Sequence, residues 1–157
     1  MFKKMLPFLL TIAIFMFSCM QDPTPEEVGL NFTISTDKDS YNPRDEIKIT
    51  FTNMGAREVR VTEALIKEGK SVSYDQSFLF FIEILQADGS WKTEIPYEYN
   101  YGSEFPIHMR PGEKRKWTSA KISREYSGKK IKFGLHYKDE INRYSFTAYS
   151  HIIELLE

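Results

Sequence analysis

Apolar and polar residues alternate with a period of two along most of the chain after Gly29. The alternating segments are 30–34, 47–52, 58–62, 130–137 and 143–155. This alternation is typical of strands with one buried face. Segment 77–86 carries apolar residues at both sets of positions, which indicates a central strand covered on both sides. Clusters of Asp, Asn, Ser, Pro and Gly separate the segments and predict turns.

The pattern predicts an all-β protein with a single antiparallel β-sandwich of about eight strands, because no strand–helix–strand alternation is present. Residues 87–90 should turn segment 77–86 into a hairpin with 91–95. Short helical turns are expected at 64–66 and 123–128. The last strand is expected to run without a break from about residue 143 to residue 155.

The first 18 residues have the order of a secretory signal peptide. Lys3 and Lys4 precede a 13-residue apolar run, Met5 to Phe17, and a polar segment with two prolines follows Cys19. A membrane-spanning helix is the alternative, although the run is shorter than the roughly 20 residues that a bilayer core requires. We therefore expect residues 1–18 to be an export signal.

Met16-Phe17-Ser18-Cys19 resembles the lipobox of bacterial lipoproteins. The resemblance implies that Cys19 carries acyl chains and anchors the exported chain to a membrane of the bacterial cell envelope. Cleavage that leaves Cys19 as an incidental thiol is the alternative. Cys19 is the only cysteine, so no disulfide can form within the chain. We expect residues 19–28 to form a lipidated tether and residues 29–157 to form the folded domain.

The segment Ser40-Tyr41-Asn42-Pro43-Arg44-Asp45-Glu46-Ile47, continued by alternating apolar residues to Asn53, resembles a strand region of bacterial immunoglobulin-like domains. Met109-Arg110-Pro111-Gly112-Glu113 resembles a Pro-Gly-Glu turn of the same domains. A related group is similar to proteinase inhibitors of the BsuPI type. The resemblance implies an immunoglobulin-like sandwich, but these domains share no activity, so it says little about function.

No motif in the sequence predicts catalysis. The chain has no GxSxG, P-loop or GxGxxG motif, and its three histidines lack a metal-ligand spacing. Asp37, Asp39 and Asp45 are more simply explained as turn formers than as calcium ligands. We expect no enzyme activity, no cofactor and no metal. Removal of Lys3 and Lys4 leaves 19 basic against 22 acidic residues, which argues against nucleic acid as a partner.

Two segments are candidates for binding. Tyr97, Tyr99 and Tyr101 would share one face of an extended segment, with Phe105 nearby, and such a row of rings can bind a sugar or a protein. An edge strand whose rings cover the core is the alternative. The second candidate is the basic segment from Arg110 to Lys132, with a local net charge of +7, for which a solvated face is the alternative.

The sequence therefore predicts a non-catalytic lipoprotein of the cell envelope that binds an unknown protein or glycan partner through Tyr97, Tyr99, Tyr101 and Phe105. The alternative function is a proteinase inhibitor of BsuPI-like type that uses an exposed loop, either 71–76 or 97–105.

Overall fold

The computed structural model describes residues 23–26, 28–67, 75–99, 102, 104–119, 121–139, 141 and 144–157. Within these ranges the chain forms thirteen strands and one short helix, so the predicted all-β class is confirmed. The expected count of about eight strands is too low, and the pairing of the second strand with the last one is parallel rather than antiparallel. No helix in the described part is long and apolar enough to span a bilayer.

The strands form two sheets that face each other, and neither closes into a barrel. The smaller sheet is antiparallel with the order β1–β3–β10. Its strands are β1 (Phe32–Thr36), β3 (Ile47–Asn53) and β10 (Lys114–Ser119). Alternation fixes which face is buried, since Ile47, Ile49 and Phe51 point to the core while Lys48 faces solvent.

The larger sheet contains the remaining ten strands. These are β2 (Ser40–Tyr41), β4 (Val59–Lys67), β5 (Asp75–Phe78), β6 (Phe80–Leu85), β7 (Trp91–Glu94), β8 (Glu98–Tyr99), β9 (Phe105–Met109), β11 (Lys130–Asp139), β12 (Ser145–Tyr149) and β13 (Ile153–Leu155). Strand β11 lies at its centre, since it pairs with β6 and β4 on one side and with β12 and β13 on the other. Helix α1 (Lys121–Glu125) connects the two sheets.

Aromatic rings fill the space between the sheets. Phe80 is 1% exposed, and its ring centroid lies 5.0 Å from that of Trp117 and 5.6 Å from that of Phe133. Its ring centroid also lies 6.1 Å from that of Phe51 in the smaller sheet. Edge-to-face contacts of this kind add to the free energy gained by burying the rings. Phe80 therefore links both sheets at the middle of the core.

Several details differ from the sequence predictions. The expected helical turn at 64–66 is wrong, because these residues belong to β4, which pairs with β5 on one side and with β8 and β9 on the other. The expected continuous strand over 143–155 is also wrong. Ser150 interrupts it, because its hydroxyl accepts the N–H of Phe133 and donates to the carbonyl of His151. The short helix begins at Lys121, slightly earlier than predicted.

The predicted hairpin at residues 87–90 is confirmed. The N–H of Gln86 donates to the carbonyl of Ser90 at 2.8 Å, and β6 and β7 pair in antiparallel register from there. Gly89 has a φ of 84°, which a residue with a side chain rarely adopts. This turn brings Trp91 next to Leu85, at the start of the second strand of the hairpin.

One end of the sandwich brings together the start of the folded chain and the connections β3–β4, β9–β10 and β11–β12. We call it the N-terminal end. The backbone N–H of Met54 donates to the carbonyl of Asn31, and that of Ala56 donates to Gly29. Arg57 donates to the carbonyl of Val28 at 3.0 Å and lies 3.5 Å from the Asp139 carboxylate. The last part of the predicted tether is therefore held against the domain.

Asn53 ties this end together. It is fully buried, and its side-chain amide donates to the carbonyls of Arg57 and Met109, both at 2.8 Å. Its side-chain oxygen accepts the N–H of Gly55. The asparagine that ends the alternating segment in the sequence thus satisfies three backbone groups, of which the carbonyl of Met109 is fully buried.

Candidate functional site

Tyr97 does not belong to an exposed aromatic row. Its side chain is 9% exposed, its ring meets the ring of Phe80 edge-on at 5.1 Å, and its hydroxyl donates to the carbonyl of Phe80. A tyrosine can be buried when its hydroxyl finds an acceptor in this way. The predicted exposure of Tyr97 is therefore wrong, and the alternative, a ring that covers the core, applies to it.

The other members of the row are less fully described. The backbone of Tyr99 lies in β8 and pairs with Ile66, but its side chain and the whole of Tyr101 lie outside the described residues. Phe105 is half-buried in β9, opposite Glu63. Binding through Tyr99, Tyr101 and Phe105 stays a prediction. The loop 71–74 and Cys19 also lie outside the described residues.

A different aromatic surface lies on the outer face of the larger sheet, where strands β6, β7, β11 and β12 adjoin. Because side chains alternate along a strand, Phe80 and Ile82 point to the core while Phe81 and Glu83 point outward. In the sheet Gly134 lies between Phe81 of β6 and Tyr149 of β12. A Cβ atom at Gly134 would lie within 3.0 Å of three ring carbons of Phe81. The glycine therefore lets the Phe81 ring lie flat on the sheet.

Phe81 is 9% exposed although it lies outside the main core. Its ring centroid lies 5.0 Å from that of His136 and 6.0 Å from that of Tyr149. The imidazole Nδ1 of His136 lies 2.9 Å from the hydroxyl of Thr147 on the adjoining strand. The three rings form a small aromatic cluster that is separate from the core between the sheets.

Lys132 lies beside this cluster, between two further rings. Its ammonium nitrogen is 4.5 Å from the centroid of Trp91 and 4.3 Å from the centroid of Tyr149, within the range of cation–π attraction. The same nitrogen is 2.7 Å from Oε2 of Glu83, and the Tyr149 hydroxyl donates to the other Glu83 oxygen at 3.3 Å. An acid, a base and two rings thus hold one another in a fixed arrangement. We call Trp91, Lys132, Glu83 and Tyr149 the ring–ion cluster.

The electrostatics of the cluster keep Tyr149 as a hydrogen-bond donor. Burial raises the pKa of its phenol, and the neighbouring Glu83 carboxylate raises it further, while Lys132 opposes the change. The phenol is therefore protonated throughout the physiological range. Tyr149 nevertheless keeps 45% of its surface exposed, so one part of its ring is open to a ligand.

A cavity of about 420 Å³ opens next to the cluster. Leu79 and Phe81 contribute apolar lining, Glu83, His136 and Tyr149 contribute polar groups, and Tyr97 also lines the cavity. Ile95, 60% exposed, stands at the β7 side. An apolar pocket of a few hundred cubic ångströms with a few polar groups at its rim is the usual form of a small-ligand site.

The basic segment 110–132 does not form one surface. Its first half lies in β10 of the smaller sheet and its end lies in β11 of the larger sheet. Several of its cations have acidic partners, among them Arg115 with Glu113, Lys121 with Glu125 and Lys132 with Glu83. The alternative of a solvated face therefore describes this segment better than a single anion-binding patch.

The acidic turn at 37–45 is occupied by structural hydrogen bonds. Asp37 accepts the Tyr41 hydroxyl at 2.7 Å, and Asp45 accepts the N–H of Asn42 at 3.1 Å. Oδ1 of Asp39 lies 3.0 Å from Nε2 of His151. In the described part of the chain, no three His, Cys, Asp or Glu side chains are grouped so that they could hold a metal ion. His136 lies opposite Thr147 in the sheet, so it is not paired with His151.

Sequence reasoning missed the ring–ion cluster because its members come from four strands. Two features of the sequence carried part of the information. Apolar residues at both sets of positions in 77–86 indicated that the outer face of β6 is covered. Gly134 inside an alternating segment is typical of a place where another group approaches the backbone closely.

No protein-family model matches the chain, and no curated protein sequence matches it significantly. Among solved structures, the chain is similar to Spo0M, a sporulation control protein from Bacillus subtilis, with a TM-score of 0.40 and 11% sequence identity. The alignment covers 82% of this chain and 50% of that protein, so the chain spans about half the length of Spo0M. A TM-score this low establishes neither a shared fold nor a shared function.

Proposed function

We propose that the chain is a non-catalytic lipoprotein of the bacterial cell envelope, anchored through Cys19, whose immunoglobulin-like β-sandwich binds a glycan. The two facing sheets support a β-sandwich, and the sequence resemblance around Tyr41 and Asn53 is the ground for calling it immunoglobulin-like. The site of binding is the ring–ion cluster with its adjoining cavity, rather than the tyrosine row.

The arrangement of Trp91 and Tyr149 around Lys132 and Glu83 carries this proposal. Sugar rings present C–H groups on their faces and hydroxyls at their edges. Aromatic rings pack against such apolar faces, while a carboxylate and an ammonium group bind the hydroxyls. Because the ion pair and the rings already hold one another, little conformational entropy is lost on binding.

The size of the cavity favours a glycan over a protein partner. A volume of about 420 Å³ falls within the range of small-ligand pockets, roughly 300–1,000 Å³. A stable protein interface instead buries about 800 Å² on each partner and usually has a wider apolar centre. A protein partner is the alternative outcome of the test below.

Co-sedimentation with insoluble polysaccharides tests the site. The full chain in detergent is mixed with peptidoglycan, chitin or cellulose, and the bound fraction is measured. Wild type should sediment with at least one polymer, and Trp91→Ala and Tyr149→Ala should lose this binding. Ile152→Ala is the matched control, because Ile152 is exposed to a similar degree as Tyr149 but lies outside the cluster.

Two results would contradict glycan binding at this site. The first is sedimentation that the Trp91 and Tyr149 variants retain in full. The second is no binding to any polymer, together with capture of an envelope protein that the same variants lose, which would assign the surface to a protein partner.

A separate experiment tests the anchor. Cys19→Ala should move the protein from the membrane fraction to the soluble fraction, and labelled fatty acid should enter wild type but not the variant. Equal membrane retention of both proteins would instead indicate an uncleaved apolar helix.

A further inference from the structure

The N-terminal end of the sandwich carries two large apolar side chains that are left exposed by the described part of the chain. Met54, in the connection between β3 and β4, is 59% exposed. Ile141, in the connection between β11 and β12, is 73% exposed. No other large apolar residue in the described part of the chain is more exposed. Met54 directly follows Asn53, which is completely buried, and Ile141 lies two residues after Asp139, which is 1% exposed. The side chains of Met54 and Ile141 are thus exposed close to buried positions of the chain.

The hydrogen bonds of the N-terminal end place these two connections beside the start of the folded chain. Met54 is bonded to Asn31 through its backbone. Arg57 joins the carbonyl of Val28 to the carboxylate of Asp139, two residues before Ile141. Asp139 also accepts the N–H of Ile141 at 3.1 Å. Met54 and Ile141 thus flank the point from which the chain leads back to Cys19.

The covalent distance from that point to the anchor is short. Cys19 lies four residues before Pro23, the first described residue, and a fully extended chain spans at most about 3.6 Å per residue. Cys19 therefore lies within roughly 14 Å of Pro23, whatever conformation the connecting residues adopt. The N–H of Val28 donates to the carbonyl of Thr24 at 3.3 Å and that of Leu30 donates to Pro25 at 2.8 Å, and these bonds fold the chain after Pro23 into a turn beside the N-terminal end. The distance between Cys19 and Pro23 is too short for the N-terminal end to lie far from the bilayer surface.

From this reach and these two exposed side chains we infer that the N-terminal end docks on the bilayer that holds the lipid anchor, with Met54 and Ile141 in its interfacial layer. The inference rests on the proposed anchoring through Cys19. Apolar side chains gain free energy when they enter the headgroup boundary. Two side chains alone would bind weakly, but the anchor keeps them at a high effective concentration next to the membrane.

Tyr144 supports the same orientation. It is half-buried at this end, its ring lies 6.3 Å from that of Phe146, and tyrosines are enriched at membrane–water interfaces. Docking through this end would direct the opposite end of the domain away from the membrane, where the start of β11 and β13 lie.

Fluorescence quenching from the lipid tests this orientation in the full chain. Met54→Cys, Ile141→Cys and Ile152→Cys are each expressed in bacteria and labelled with a thiol-reactive fluorophore. The labelled proteins are then reconstituted into vesicles of phosphatidylethanolamine and phosphatidylglycerol that carry a headgroup nitroxide. Ile152 is the matched control because it is 52% exposed and precedes β13, which pairs with β11 at Ile131. That pairing lies eight residues from Asp139, or roughly 27 Å along the strand.

The labels at positions 54 and 141 should lose most of their fluorescence, and the label at position 152 should keep it. Equal quenching at all three positions, or quenching at position 152 alone, would overturn the inference. The same holds if none of the three is quenched.

The wild-type chain separates this inference from the proposed anchor. If Cys19 is acylated, its thiol is blocked and wild type takes up no fluorophore. Labelling of wild type would refute the anchor, and the docking inference with it. An unlabelled wild type combined with equal quenching at the three positions would refute the docking inference alone.

Discussion

Gly134→Ala is the change that most sharply tests the packing on the outer face of the larger sheet. The new methyl group would lie within 3.0 Å of the Cε1, Cε2 and Cζ atoms of Phe81, so the ring must leave its place. Added atoms in a packed site usually cost about 1–3 kcal/mol. We expect a loss of that size, because the displaced ring also gives up its contacts with His136 and Tyr149.

The same substitution should have the opposite sign when the Phe81 ring is absent. Gly134 has no positive φ, so alanine fits its backbone conformation. Alanine in a strand interior is more stable than glycine by roughly 0.5–1 kcal/mol. In a Phe81→Ala background, Gly134→Ala should therefore stabilise the fold by about that amount.

Urea unfolding of the four proteins measures both effects in one double-mutant cycle. Wild type, the two single variants and the double variant should differ in midpoint with little change in the slope. The two values for Gly134→Ala should differ by about 1.5–4 kcal/mol, the sum of the ranges just given. If Gly134→Ala destabilised the chain equally in both backgrounds, the Phe81 ring could not be what the glycine accommodates.

Three further predictions concern the core, the N-terminal end and the carboxylates. Phe80→Ala should lower the free energy of unfolding by about 3–5 kcal/mol, because the ring is 1% exposed and contacts aromatic rings of both sheets, and a urea midpoint change below about 1 kcal/mol would contradict this. Asn53→Ala should cost about 1–3 kcal/mol because it leaves buried backbone groups without partners, whereas Asn31→Ala at an exposed position should stay within about 0.5 kcal/mol by the same assay. Stability should fall as the pH drops below about 4, because hydrogen bonds hold the pKa values of four carboxylates below their ordinary values of 3.8 for Asp and 4.5 for Glu. The pairs are Asp45 with Asn42, Asp88 with Ser90, Glu94 with Lys92 and Glu113 with Arg110. Folded-state pKa values below those of the unfolded chain favour the native state above the unfolded values and lose that contribution on protonation; equal urea midpoints at pH 7 and pH 3 would contradict it.

The period-two pattern predicts the strands well where one face is buried and the other is solvated. Segments 30–34 and 47–52 correspond to β1 and β3, and 130–137 corresponds to most of β11. The same reasoning fails at 64–66, where three consecutive apolar residues look helical. Three consecutive apolar residues fit either period, so the local pattern cannot decide, and it is the pairing of β4 with β5 and with β9 that makes this segment a strand.

The candidate site could not be predicted, because it depends on register between strands that are distant in sequence. Alternation shows only that Glu83 lies on the outward face of its strand and that Lys132 lies on the outward face of its own strand. It does not show that they face each other, which follows only from the pairing of β6 with β11. The burial of Tyr97 is a similar case, since its hydroxyl acceptor is the backbone of Phe80, a partner that no local pattern indicates.

The fluorescence of Trp91 during a glycan titration tests the central claim most directly. Trp91 and Trp117 are the two tryptophans, so Trp117→Phe leaves Trp91 as the only indole in the full chain. Soluble oligosaccharides of the polysaccharide that sediments the protein are used as the titrant. If a glycan binds at the ring–ion cluster, they should shift the Trp91 emission, and the shift should reach a plateau at high oligosaccharide concentration. Binding of the same oligosaccharides without any change in Trp91 emission would contradict the account.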